Sequence, residues 1–184
     1  MKLTRSKLAD VVMIELTVHG DERGYFAETF RKDKLEAFIG NEVNFVQENQ
    51  SKSSLGVLRG LHYQLPPAAQ CKLVSVIKGK ILDVAVDIRK ESPDFGKFVS
   101  CILSEENKTQ IYIPAGFAHG FLTLEEGSII SYKVDNYYSP AHERGIAFDD
   151  PAIGISWPME NHKLQLSDKD KKQPLLRNAD LFSK

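Results

Sequence analysis

Cysteine is scarce in this chain. Of 184 residues only Cys71 and Cys101 carry a thiol, and they form no CxxC pair. A disulfide framework is thereby disfavoured, and both residues read as small buried hydrophobes in a reducing compartment. Long apolar runs are also missing. Met1 is followed by Lys2, Leu3, Thr4 and Arg5, with no stretch suited to a signal peptide or a spanning helix, so a cytoplasmic location is expected. Charge of one sign is not in excess either: 24 basic side chains stand against 25 acidic ones, interspersed, for a formal net charge of −1. That balance argues against a nucleic-acid stripe and a membrane-surface helix. No repeat or low-complexity tract breaks the chain before about Pro158. The length suits one domain with a real core, over residues 1–184.

What is present is the periodicity of strands. Along Ile81–Ile88, Leu82, Val84, Val86 and Ile88 fall on one face and Asp83, Ala85 and Asp87 on the other. Similar short runs occur at Val11–Val18, Gly24–Phe30, Val43–Gln50, Lys72–Ile77, Lys97–Leu103, Thr109–Ile113, Phe121–Leu124 and Ile129–Val134, separated by Gly, Pro, Asn, Asp and Ser. Many short strands joined by turn residues predict an all-β sandwich or barrel. One helix is signalled, with Asp33 as cap, Glu36 as capping-box partner and Gly40 as stop. Short helical turns are expected after Ser167 and within Leu175–Phe182.

Two passages stand out. Gly56 through Gln64 sets Arg59, His62 and Gln64 in a strand-like segment, and Ile113 through Phe121 adds His119 in a Gly- and Phe-containing setting. Together they resemble the two halves of a cupin signature that has lost most of its metal ligands. Gln64 stands where a second histidine is wanted and Lys72 near the position of the acid. Two imidazoles beside a cation make a poor site for a divalent ion, so neither a metal nor another cofactor is expected.

The remaining groups suit proton chemistry. His62 is the natural general base near neutral pH, and such a base needs a carboxylate on its other ring nitrogen. Asp170 is preferred, although three residues after Ser167 it reads equally as part of a helix cap; Asp83 and Asp87 are rivals. Lys72 and His119 can hold a developing enolate oxygen. The Ser131–Tyr138 segment supplies tyrosines able to return a proton from the opposite face. Arg23, Arg59 and Gln47 with Asn49 can hold a phosphate and a base, and an unpaired Arg59 buried in its apolar segment would be costly. Regular alternation would send Arg59 and His62 to opposite faces, so a shared pocket requires a bulge, cheapest at Gly60.

The chain resembles the dTDP-4-dehydrorhamnose 3,5-epimerase family over nearly its whole length. The likeness runs through Gly20–Phe26 with Glu28, Phe45–Asn49, Gly56–Gln64, Gln70 with Lys72–Val74, Asp83–Arg89, Ile113–Phe121, Tyr132-Lys133, Tyr138–Pro140, Asp149–Pro151, Ile155–Pro158 and Leu166–Asp170. The resemblance implies a cupin-type jelly roll with a few short peripheral helices. It implies that His62 removes the C3 and C5 protons of a dTDP-4-keto-6-deoxyhexose, paired with Asp170. Tyr132 is the implied proton donor and Lys72 stabilises the enolate. Arg23, Glu28, Gln47, Glu48, Asn49, Arg59, His119, Tyr138, Glu143 and Lys169 match substrate-contacting positions, with Glu48 standing where relatives commonly carry aspartate. A homodimer is also implied, with Arg23 or Glu28 serving across the interface. The alternative is a C3 or C5 mono-epimerase acting on another deoxysugar.

Overall fold

The computed structural model describes residues 1–160 and 163–182. Strands β1 (Lys2–Arg5) and β2 (Val12–Glu15) are followed by the hairpin β3 (Val18–Asp21) and β4 (Gly24–Ala27), then helix α1 (Lys32–Ile39). Next come β5 (Gln47–Ser53), β6 (Leu58–Gln64), β7 (Lys72–Lys78) and β8 (Lys80–Asp87). The last strands are β9 (Phe98–Ser104), β10 (Thr109–Ile113), β11 (Phe117–Thr123), β12 (Ser128–Val134) and β13 (Glu143–Gly145). Short 3-10 turns at Asp170–Lys172 and Leu176–Asn178 fall where helical turns were expected.

The strands form two antiparallel sheets, ordered β1-β2-β10-β7-β12-β5 and β13-β6-β11-β8-β9, with β3-β4 apart. This is the expected all-β jelly-roll sandwich. The alternation of β8 explains its layering. Ile81 and Ala85 join Val74, Val76, Ile111, Phe121 and Ile130 in a core between the sheets. Val84 and Val86 point the other way, into a second core with Leu58, Tyr63, Leu122, Trp157 and Leu176. A third cluster packs α1 through Leu35 against Val12, Ile14, Leu73 and Tyr112. Both faces of the central strands are therefore covered.

Two local expectations are corrected. Asp33 does not cap α1: the cap position is Arg31, without a side-chain cap bond, and Asp33 instead receives the Arg31 guanidinium. Glu36 accepts from the Val43 N–H, 2.8 Å, which pins Val43 to the helix and delays β5 until Gln47. Gly40 does end the helix, at φ 79°. Strand β2 lies inside its sheet, with β1 on one side and β10 on the other.

The break in alternation at Gly60 is present. His119 pairs with His62 and Phe121 with Arg59, so Gly60 and Leu61 together oppose the single residue Gly120. A side chain at Gly60 would sit 2.5 Å from the Gly120 Cα on a backbone with φ +134°. Gly60→Ala is expected to cost about 3 kcal/mol or more, from overpacking and backbone strain together. Urea unfolding checks this, and an unchanged midpoint would contradict it.

Candidate active site

The bulge turns both Arg59 and His62 toward one cavity of about 470 Å³. Lys72, His119, Phe121, Tyr132 and Asp170 also line it. A second recess of about 330 Å³ adjoins it, walled by Gln47, Asn49, Gln64, Tyr138 and Glu143 and sharing His62, Lys72 and Tyr132. His62 and His119 come from the β6–β11 sheet, and Lys72 and Tyr132 from the facing one. The cavity thus has reactive groups on opposing walls.

The ambiguity over Asp170 resolves into both readings at once. Ser167 Oγ accepts from the Asp170 N–H, 3.1 Å, as a turn cap. The same hydroxyl donates to Asp170 Oδ2, 2.8 Å, which leaves Oδ1 for His62 Nε2 at 2.5 Å. Burial pushes the Asp170 carboxyl up, but the bonds and charge of His62, the Ser167 bond and the Lys169 charge outweigh it and hold it below the usual carboxylate range. An ionised carboxylate only accepts, so Nε2 carries the hydrogen and Nδ1 keeps its lone pair.

The rival acids have other partners. Asp83 Oδ2 binds His119 Nε2 at 2.8 Å, and Asp87 holds Arg89 and Ser92. Burial lowers His119, against the bond and charge of Asp83 and with the charges of Lys72 and His62, so its ring stays neutral. Burial also draws Lys72 down to about 8, against the charges of Asp83 and Glu143. Burial raises the Tyr132 phenol, partly offset by Arg59 and Asn49, which keeps it protonated at neutral pH.

The other expected contacts divide. Gln47 Nε2 donates to Asn49 Oδ1, 2.8 Å, and Gln47 Oε1 accepts from the Tyr138 N–H, 3.1 Å. Glu143 Oε2 accepts from the Tyr138 hydroxyl, 2.6 Å, and meets Lys169 Nζ at 2.5 Å. Arg59 is exposed rather than buried, with Nε donating to Ser53 Oγ, 3.2 Å. The concern over an unpaired buried charge there does not arise. Glu48 faces away from the cavity, bound to Ser131 and Lys133 at 2.6 Å each. Arg23 and Glu28 lie at the exposed hairpin, engaged with Asp21 and with Arg31 and Lys34, and neither lines the cavity. Ser51, Val57, Leu58, Gln165, Leu166 and Ser167 complete its walls; the sequence reading assigned them no role there. Among the described residues no group of three or more His, Cys, Asp or Glu is arranged to hold a metal ion.

A sequence model described as dTDP-4-dehydrorhamnose 3,5-epimerase matches residues 5–178. The chain belongs to this family. It is an epimerase, of the isomerase class. The Shigella flexneri dTDP-4-dehydrorhamnose 3,5-epimerase is 50% identical over 182 residues, 99% of each chain. The Salmonella typhimurium enzyme of that name is 51% identical over 179 residues, 97% of each chain. Among solved structures, the Legionella pneumophila epimerase in complex with dTDP-4-keto-L-rhamnose superposes with a TM-score of 0.93 at 46% identity, covering 97% of this chain and 94% of that one. These likenesses span the whole sandwich, so the epimerase family and the cupin-type fold stand together.

Proposed function

We propose that this epimerase inverts C3 and C5 of dTDP-4-dehydro-6-deoxy-D-glucose, giving dTDP-4-dehydro-L-rhamnose for dTDP-L-rhamnose biosynthesis. Both carbons flank the C4 ketone, so loss of either proton leaves an enolate whose charge rests on the C4 oxygen. His62, oriented by Asp170, takes the proton from one face, and the Tyr132 phenol returns one from the other. Lys72 meets the enolate oxygen with its ammonium. With a lysine where a metal-binding cupin has an acid, that charge needs no metal. The reading rests on one observation: a carboxylate-backed imidazole and a protonated phenol reach the same cavity from facing sheets.

The polar recess beside them, walled by Gln47, Asn49, Tyr138 and Glu143, suits the diphosphate and thymine, with Arg59 and His119 of the main cavity and Lys169, paired with Glu143, as further contacts. The test is NMR of the product formed from dTDP-4-keto-6-deoxy-D-glucose. Inversion at both carbons is expected. Inversion at one alone would favour the mono-epimerase, and none would reject the reading.

A homodimer accounts for Arg23 and Glu28. The β3–β4 hairpin stands outside both sheets and exposes Tyr25 at 63% and Phe26 at 70%, more apolar ring surface than an isolated hairpin would keep in water. Docked on a second copy, it would carry Arg23 and Glu28 toward that copy's cavity. Solution mass at low concentration is expected to report a dimer, and a fully active monomer would contradict it. No described helix is long and apolar enough to cross a membrane, in keeping with a proposed cytoplasmic setting.

A further inference from the structure

Gln64 takes no part in the proton transfers just described, although it walls the polar recess and is almost fully buried. Its amide is committed to backbone. Nε2 donates to the Ala68 carbonyl, 2.6 Å, and to the Tyr137 carbonyl, 3.2 Å. Oε1 accepts from the Ser139 N–H, 2.6 Å. Carbonyls only accept and an N–H only donates, so these partners fix which way round the amide lies. A histidine, with two ring nitrogens, could not make all three bonds.

The bonds to Tyr137 and Ser139 bracket Tyr138. That residue walls the same recess but keeps 53% exposure, too little packing to fix a ring in place. Polar bonds hold it instead. Its N–H donates to Gln47 Oε1, 3.1 Å, and its hydroxyl to Glu143 Oε2, 2.6 Å. Glu143 lies opposite Gln64 in the register of β13 on β6. The same loop is stitched to the one between β6 and β7, where Gln70 Nε2 donates to the Asn136 carbonyl, 2.7 Å, and Asn136 Nδ2 to the Pro67 carbonyl, 3.0 Å. Gln64 grips both loops from the strand that carries His62.

We propose that Gln64 is a positioning residue: its amide clamps the backbone on either side of Tyr138 and so holds that ring, before any ligand arrives, as a rigid face for the nucleotide of the substrate. The gain is entropic. A half-exposed tyrosine free to swing must be immobilised on binding, and one already set need not be. This rests on Tyr138 as a substrate contact, proposed above. It also gives a task to the amide that stands where a metal-binding cupin has a histidine.

Amide hydrogen exchange in the wild type, with and without dTDP, is the first test. The Tyr138 and Ser139 amides should be protected without ligand, and dTDP should add no more protection there than across β12. Protection that appears only with dTDP overturns the proposal. Gln64→Met, close in length and volume, then removes the clamp. Exchange at the Tyr138 amide, whose own acceptor is Gln47, should quicken by roughly tenfold or more. The Kd of dTDP, read by calorimetry, should rise by roughly three- to tenfold. Unchanged exchange in the folded variant overturns the proposal. If that variant does not fold, Gln64→Glu takes its place, and the wild-type exchange decides if neither folds. In a double-mutant cycle, Gln64→Met should add little to the loss of dTDP affinity in Tyr138→Ala. Full additivity would mean that Gln64 does not act through the ring, and overturns the proposal. If Tyr138→Ala binds dTDP as tightly as the wild type while Gln64→Met still loosens the loop, the clamp stands and the substrate role of Tyr138 fails.

Discussion

Replacing His62 by alanine is expected to abolish the wash-in of solvent deuterium at both C3 and C5, with epimerisation falling by roughly 10²–10⁴-fold or more. The reasoning is geometric. His62 is the imidazole whose hydrogen-bearing nitrogen is committed to a carboxylate, 2.5 Å away, so its other nitrogen is obliged to be a lone-pair acceptor. The second imidazole, His119, is tied to Asp83 on the same sheet and is nearly fully buried. The His62 side chain keeps 28% exposure, enough for a captured proton to be traded with solvent before it is returned. Deuterium entering C5 in folded His62→Ala would mean that another group is the base. Asp170→Asn should weaken the same step less severely, because the imidazole remains but its tautomer is no longer imposed.

Tyr132→Phe is expected to separate two events that the wild type couples. Deuterium should still enter C3 or C5, since His62 can remove a proton and give a deuteron back on the same face. Inverted product should fall by roughly 10²–10⁴-fold, because nothing donates from the opposite wall. The change removes one hydroxyl from a ring packed against the core between the sheets, so folding should survive. Burial keeps this phenol protonated, as a donor must be. Proton NMR of recovered sugar nucleotide after incubation in deuterium oxide distinguishes exchange with retention from inversion. Inversion at the wild-type rate would remove Tyr132 from the donor role.

Much of this arrangement was legible in the residues because strands impose a period of two. The alternation over Ile81–Ile88 separated the face that holds Val84 and Val86 from the face that holds Asp83 and Ala85, and the two cores follow that division. The tension between Arg59 and His62 located the bulge at Gly60 from the residues alone. The same rule, applied to β5, would have set Glu48 apart from Gln47 and Asn49, since neighbours on a strand cannot share a face. Its bonds to Ser131 and Lys133 on the outer face are what alternation requires.

Other features lay beyond local pattern. The choice of Asp170 over Asp83 for His62 depends on a turn 108 residues away in sequence, and no periodicity reports that distance. The helix start was misplaced because Asp33 satisfies a capping pattern, whereas the Arg31–Asp33 ion pair takes that carboxylate instead. The edge position of β1 rather than β2 depends on β10 pairing from far along the chain. The first and last of these are long-range pairings that local pattern does not report, and the second is a local ion pair that outcompetes a cap.

The account depends on two protons crossing opposite faces of one planar enolate, and wild-type turnover in deuterium oxide tests it most directly. Converted sugar nucleotide should carry deuterium at both inverted carbons, since the phenol opposite the imidazole is filled from solvent. Inverted product that keeps protium at either carbon would show the original hydrogen migrating without leaving the sugar, and would contradict a base and an acid on separate walls.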